Sequence, residues 1–372
     1  FNFDEMPLNL EDFDSKLEID QNINPEDGVV ILYTSGTTGF PKGALISHRA
    51  QIARMCALRL DAAITDKDAF IAWSPMFHMA STDQMLGSLM SGSTVIVIDG
   101  FKPEEITKAA TRYCLGWLVM FPGSIEPMIS YLKKKKPKLK SIACIGAMPD
   151  LVPRQEIADL TTLTNAPYLN SFGATETGLP PASGNLIKKG STNYSLAKRV
   201  SSLCEVKLLD RTGKEVSDGK TGELAIRGPT VFSGYWNAPE TNAKDFSDGW
   251  FHMGDLFQRN SDGSIVFVDR AKYMIKSGGE NIYPAEIERV LLADKRITDA
   301  VVVRKPSKRW GEIPVAFIAP SDKNLTKLQV EKICRADLAN YKLPKEIRFI
   351  SLDDFPRSTT GKIQRHEMEK WL

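Results

Sequence analysis

Residues 33–44, YTSGTTGFPKGA, combine groups that suit the binding of a phosphate. Gly36, Gly39 and Gly43 leave the backbone open to close approach. Thr34, Ser35, Thr37 and Thr38 offer hydroxyls, and Lys42 supplies positive charge. The P-loop pattern requires Ser or Thr after its lysine, whereas Gly43 follows Lys42, so this is a different phosphate loop. By residue type alone, such a stretch could equally be a linker.

A loop of this kind needs rigid elements on either side. The strand formers of 28–33 lead in, and a helix is expected to follow, with Ser47 as its N-cap. Ile52, Met55 and Cys56 have i, i+3, i+4 spacing and predict its inner face. Further strands are predicted at 69–73, 94–98, 116–120 and 141–145, with helices near 47–60, 80–90, 103–113 and 123–132. This alternation predicts an α/β lobe of parallel strands with crossover helices on both faces. The lysines 133–136 before Pro137 read as a solvated turn. From about residue 200, CEVKLLD and GELAIRG flank turn-rich sequence and predict a twisted β layer. A boundary is expected at 269–272, dividing 1–270 from a small α+β domain, 271–372. In that domain Pro284 opens a helix over 285–293 with Ile287, Val290 and Leu291 on one face. A second helix has Thr326 and Gln329 at capping-box spacing, with Val330, Ile333 and Cys334 along its inner stripe.

The chain has 372 residues, 42% hydrophobic and 25% charged, enough for two domains with well-buried cores. A net charge of +2 gives no general affinity for nucleic acid. Five scattered cysteines lack metal or disulfide spacing and read as reduced thiols in a cytoplasmic protein. No apolar run reaches membrane-spanning length.

The order TSGTTGFPKG closely resembles the signature loop of the adenylate-forming (AMP-binding) superfamily, of the acyl- and aryl-CoA synthetase type. SFGATETG at 171–178, GWFHMGDLFQRNSDG at 249–263, DRAKYMIKSGGENIYPAEIE at 269–288 and PRSTTGKIQR at 356–365 match further motifs in the family's order. The resemblance implies an ATP-dependent acid–CoA ligase. It would join a fatty or aryl carboxylate to AMP, release pyrophosphate, and pass the acyl group to coenzyme A. It also implies that a substantial N-terminal portion precedes this sequence and that the small domain is mobile, and it leaves room for a homodimer.

Residue by residue, the resemblance assigns Thr34, Ser35, Gly36, Thr37, Thr38 and Lys42 to the phosphates. Glu176 and Thr37 go to Mg²⁺, and Thr175 to phosphate and metal. Phe172 and Gly173 go to the nucleotide, Asp255 to both ribose hydroxyls, and Arg270 to the nucleotide at the domain junction. Lys362 would bridge the carboxylate and the α-phosphate, a task suited to a point charge on a flexible stem. Lys272 would be the hinge, Gly278 and Gly279 would line the thiol tunnel with Trp310 on the pantetheine arm, and His78 would gate between the carboxylate and thiol sites.

The acid pocket is expected to draw on 78–84, on Gly146, Ala147 and Met148, and on Asn170 and Ser171. Here the chain departs from the pattern. Met79, Ala80, Ser81, Thr82 and Asp83 follow the histidine where a glycine is usual, and GSTNYSLAKRVSSL replaces a glycine-rich run. Ser81, Thr82, Asp83 and Gln84 would either favour a functionalised acid or face solvent. A stand-alone adenylation enzyme that loads a carrier protein is the alternative, with CoA favoured because no carrier domain follows Leu372. A kinase-like protein releasing ADP and a catalytically silent binding module are the more distant readings.

Overall fold

The computed structural model describes residues 22–34, 42–357 and 363–372. Strand β1 (Gly28–Tyr33) pairs antiparallel with β2 (Gly43–Ser47), placing Tyr33 opposite Gly43. A strand therefore precedes the helix, where the sequence predicted a turn leading straight into a helix. Thr34 N–H donates to Lys42 O at 2.9 Å and shuts the neck of the loop. Any Cβ on Gly43 would lie 2.8 Å from an Ile31 methyl, so glycine lets the two strands close.

Helix α1 (His48–Ala62) begins at Ser47, whose hydroxyl accepts from Ala50 N–H at 3.2 Å. Its inner face differs from the prediction: Ile52 is 46% exposed, while Ala50, Ala53, Arg54, Ala57 and Leu58 are buried. The small side chains permit close approach, and the Arg54 charge is met inside. Its Nη1 lies 3.3 Å from Asp83 Oδ2, and its Nε donates to Thr230 O at 2.9 Å.

Next come β3 (Phe70–Ala72), α2 (Met79–Met90), β4 (Val95–Val97), α3 (Pro103–Arg112) and β5 (Leu115–Leu118). After them follow α4 (Pro122–Lys135), β6 (Ile142–Ile145), α5 (Arg154–Thr164) and β7 (Tyr168–Leu169). β3 and β4 are parallel, as are β5, β6 and β7, and a parallel bridge from Ala69 to Leu115 joins the two groups. The expected parallel layer is present without 28–33, which went to the hairpin. Its core includes Ile71, Leu118, Ile145, Leu160 and Tyr168. The lysine run is not a turn: Lys133, Lys134 and Lys135 form the last turn of α4, where cations meet the helix dipole, and Lys133 pairs with Asp159 at 2.7 Å.

β8 (Phe172–Ala174) and β9 (Gly178–Ala182) form a hairpin, and β10 (Leu186–Ile187) pairs antiparallel with β7. The twisted layer follows: β11 (Glu205–Leu209), β12 (Thr221–Arg227), α6 (Pro239–Asp245), β13 (Phe246–Ser247), β14 (Trp250–Arg259) and β15 (Ile265–Arg270). Its order is β11-β12-β14-β13, with β15 also on β14.

The small lobe contains β16 (Ile275–Ser277), β17 (Glu280–Ile282), α7 (Pro284–Leu292), β18 (Ile297–Ser307) and β19 (Gly311–Pro320). It continues with α8 (Lys327–Asp337), β20 (Glu346–Phe349) and α9 (Arg365–Glu369). Pro284 is the first residue of α7, and Ile287 and Leu291 are buried. At α8 both halves of the capping box form between Thr326 and Gln329. Side chains alternate along β18. Val302 packs with Ile287 and Leu291, while Val301 and Val303 pack with Phe355 and Met368, so α7 and α9 lie on opposite faces.

Candidate active site

Two of the candidate residues, Lys42 and Glu176, meet at Tyr235. Lys42, leaving the glycine-rich loop, places Nζ 4.0 Å from the centre of the Tyr235 ring and 3.5 Å from Asp245 Oδ2. The Tyr235 hydroxyl donates to Glu176 Oε1 at 2.7 Å. Ser35, Gly36, Thr37, Thr38 and Lys362 lie outside the described residues.

Thr175 and Glu176 occupy the tight turn between β8 and β9, and Thr177 pins it. Ala174 N–H donates to the Thr177 hydroxyl, which donates in turn to Pro180 O at 2.6 Å. Gly173 makes this hairpin possible, because a Cβ there would sit 2.0 Å from Gly178 O. Gly173→Ala should therefore cost about 1–3 kcal/mol by overpacking and displace the Glu176 turn. Urea unfolding gives the first number, and weakened ATP binding in magnesium reports the second. The Phe172 ring, expected at the nucleotide, is held in the core, 5.1 Å from Phe267 in a stack and 4.9 Å from Phe257 edge-on.

Asp255 on β14 and Arg270 on β15 are direct cross-strand partners, with Arg270 Nε donating to Asp255 Oδ1 at 3.0 Å. Asp255 is 1% exposed. Its charge holds the Arg270 pKa above the ordinary value, and the Glu176 charge acts in the same direction. The Arg270 charge also reaches Tyr235, so both pairs share one electrostatic neighbourhood. Next along the chain, Asp269 accepts from Arg270 N–H and, through Oδ2, from Ala285 N–H at 2.8 Å in the first turn of α7. Burial pushes its pKa up to about 6.

Burial, with the Arg270 charge beside it, pushes Lys272 down to about 7. Below pH 7 this lysine is charged in both the folded and the unfolded chain, and the cost of burying the charge is fully felt. As pH rises from 7 toward the ordinary lysine value of 10.5, the folded chain holds fewer protons and gains stability. Lys272→Met should raise Tm most near pH 6, and the gain should shrink by pH 9 when both proteins are scanned across that range.

His78 is the N-cap of α2: its Nδ1 accepts from Ala80 N–H, and its ring meets Phe121 edge-on at 5.4 Å. Ser81, Thr82 and Asp83 are buried and do not face solvent. Gly146, at the carboxyl end of β6, must be glycine: its φ is +76°, and a Cβ would fall 2.1 Å from the Tyr168 ring. Ala147 O accepts from the Tyr168 hydroxyl, and Met148 N–H donates to Ser171 Oγ at 3.4 Å. These residues lie at the carboxyl ends of parallel strands, where open α/β sheets bind ligands. The Asn170 side chain is engaged elsewhere. Nδ2 donates to Ala197 O, and Oδ1 accepts from fully buried Lys198, whose Nζ is 2.6 Å from Asp150 Oδ2. Gly278 and Gly279 have φ of +59° and +88° in the turn between β16 and β17. Gly278 N–H donates to Trp310 O, and that indole lies against the glycine.

Sequence reasoning missed Tyr235, the Arg54–Asp83 pair and Lys198. Arg54 left a signal, since it falls on the stripe formed by Ala50 and Leu58. Tyr235, in SGYWN, left none.

Among the described residues, no three His, Cys, Asp or Glu side chains are grouped to hold a metal by themselves. A single half-buried carboxylate such as Glu176 suits Mg²⁺, which is held by one or two carboxylates together with substrate phosphates. Also among the described residues, no helix is long and apolar enough to cross a membrane.

Residues 2–236 match the family model of the AMP-binding enzyme, and residues 286–362 that of the AMP-binding enzyme C-terminal domain. An indoleacetate–CoA ligase of Aromatoleum aromaticum is 32% identical over 94% of this chain and 68% of its own. A 2-succinylbenzoate–CoA ligase of Bacillus licheniformis is 30% identical over 94% of this chain and 71% of its own. Among solved structures, the o-succinylbenzoate CoA synthetase of Bacillus subtilis with its acyl-adenylate intermediate superposes with a TM-score of 0.78. It is 26% identical, covering 93% of this chain and 70% of that one. Its ATP and magnesium complex has also been solved and superposes equally well. With these matches, the chain belongs to the AMP-binding, adenylate-forming enzyme family, in its acid–thiol ligase branch.

Proposed function

We propose that this enzyme converts an aromatic carboxylic acid to its CoA thioester in two half-reactions at one cleft. In the first, a carboxylate oxygen bonds to the α-phosphorus of ATP as the bond to the departing pyrophosphate breaks. In the second, a thiolate sulfur takes the acyl carbon and AMP leaves with the electron pair, the thiol proton having gone to solvent. The observation that carries this reading is that the linked trio Lys42, Tyr235 and Glu176 shares one electrostatic neighbourhood with the Asp255–Arg270 pair. The names of the relatives favour an aromatic acid over a fatty one.

In this reading Lys42 and the hydroxyls of 34–38 hold the outer phosphates. Glu176, with Thr37 and Thr175, holds Mg²⁺, which when bound neutralises triphosphate charge. Asp255 accepts from the ribose hydroxyls, and carboxylate acceptors suit that task. Lys362 spans the carboxylate and the α-phosphate, and His78 separates the acid and thiol sites. Gly146, Ala147, Met148 and Ser171 line the acid pocket. Gly278, Gly279 and Trp310 serve the pantetheine arm. We divide the chain at 270, with Lys272 as hinge; this is supported by core clusters that lie wholly on one side or the other. Five cysteines without disulfides fit a reducing, cytoplasmic setting.

Pyrophosphate release should be screened against indole-3-acetate, 2-succinylbenzoate, benzoate and straight-chain acids, with CoA or holo-carrier protein as acceptor. The reading expects AMP, pyrophosphate and an aryl-CoA. Turnover of straight-chain acids alone would overturn the substrate class, preference for the carrier would overturn the acceptor, and ADP would overturn the reaction.

A further inference from the structure

Tyr235 lies between two charged groups assigned to the first half-reaction, Lys42 and Glu176. Its phenol touches Glu176, and its ring face supports the Lys42 ammonium. The residue is firmly held. Tyr235 N–H donates to Asn242 Oδ1 at 2.7 Å, and Asn242 Nδ2 donates back to Tyr235 O at 2.9 Å. Its ring packs edge-on against Phe232 at 4.9 Å. The segment that bears it is bonded on both sides: Trp236 N–H donates to Gly43 O, and Phe232 N–H donates to Glu176 O. One rigid strip thus connects the end of the glycine-rich loop to the turn bearing the metal-type carboxylate.

We propose that Tyr235 is a positioning residue that orients Glu176 toward the metal–triphosphate and keeps it from collapsing onto Lys42. This rests on the reading of Glu176 as the magnesium ligand. A carboxylate has two oxygens. The phenol takes Oε1, while Oε2 accepts no hydrogen bond among the described residues and is left for a cation. The ring face gives Lys42 an alternative partner to the carboxylate, and Asp245 gives it another. A direct Lys42–Glu176 ion pair would have to be broken each time nucleotide and metal entered. With Tyr235 in place, no such pair forms.

The test is ATP binding by calorimetry, with Mg²⁺ and with chelator, which needs neither the acid nor turnover. Tyr235→Phe keeps the ring, the Asn242 clamp and the Lys42 contact, and removes the hydroxyl alone. We expect it to bind metal-free ATP as wild type does, but to lose about tenfold of the tightening that Mg²⁺ confers, as for one hydrogen bond to a charged group. A merely structural role would weaken both measurements together, and that result overturns the proposal. Glu176→Gln separates the two levels. If it abolishes the Mg²⁺ effect while Tyr235→Phe leaves it intact, the inference falls and the metal assignment stands. If Glu176→Gln retains the full effect, the metal assignment falls and takes the inference with it. A double variant with strictly additive losses would also overturn the coupling.

Discussion

Lys362→Ala should lower acyl-adenylate formation by about a thousandfold, the scale on which a preorganised charge stabilises such a transition state. Transfer from a supplied acyl-adenylate to CoA should stay within a few-fold of wild type. The asymmetry follows from charge. In the first half-reaction two anions meet, and the lysine offsets the repulsion as the new acyl–phosphate anhydride bond forms. In the second a neutral acyl carbon is attacked and AMP departs, so the same cation has no comparable task. Pyrophosphate exchange measures the first step, and thioester formation from synthetic adenylate measures the second. Equal loss in both would refute the division of labour proposed for the small lobe.

The second large effect is on stability. Arg365 Nη1 and Nη2 contact Glu288 Oε1 and Oε2 at 2.5 and 2.6 Å, and Nη1 also donates to Val302 O. Glu288 Oε1 accepts from Val302 N–H as well, and that carboxylate is 1% exposed. Removing the arginine leaves a buried anion with its principal partner gone, so Arg365→Ala should cost about 3–5 kcal/mol in urea unfolding. Replacing both members, as in Glu288→Gln with Arg365→Met, should recover much of that loss, because the Glu288 charge is no longer buried without its partner. The pair fastens α9 to α7, and Lys362 lies three residues before Arg365. The single variant should therefore also slow adenylation.

How much was legible in the sequence depended on how local the cause was. The N-cap at Ser47, the capping box at Thr326 and the proline opening α7 are set within one helical turn, and each forms where its residues predict. The parallel layer was legible because its strands are short apolar runs between periodic segments. What went unread came from long-range partners. Periodicity put Ile52 inside α1, but a helix of small residues can bury Arg54 when Asp83 and Thr230 meet it from distant segments. The strand 43–47 went unread between the glycine-rich turn and the helix, since nothing local marks its pairing with β1. In the candidate site, the motif letters singled out Lys42, Glu176, Asp255 and Arg270, whereas Tyr235 emerges only from its contacts with Lys42 and Glu176.

The junction between the lobes carries one more implication. The last strand of the large lobe grips the first helix of the small lobe through the Asp269 carboxylate at Ala285 N–H. If the small lobe turns about 271–273, as proposed above for Lys272, that contact has to open first. Switching between half-reactions would then carry the cost of undoing this latch, at a distance from both bond-making events.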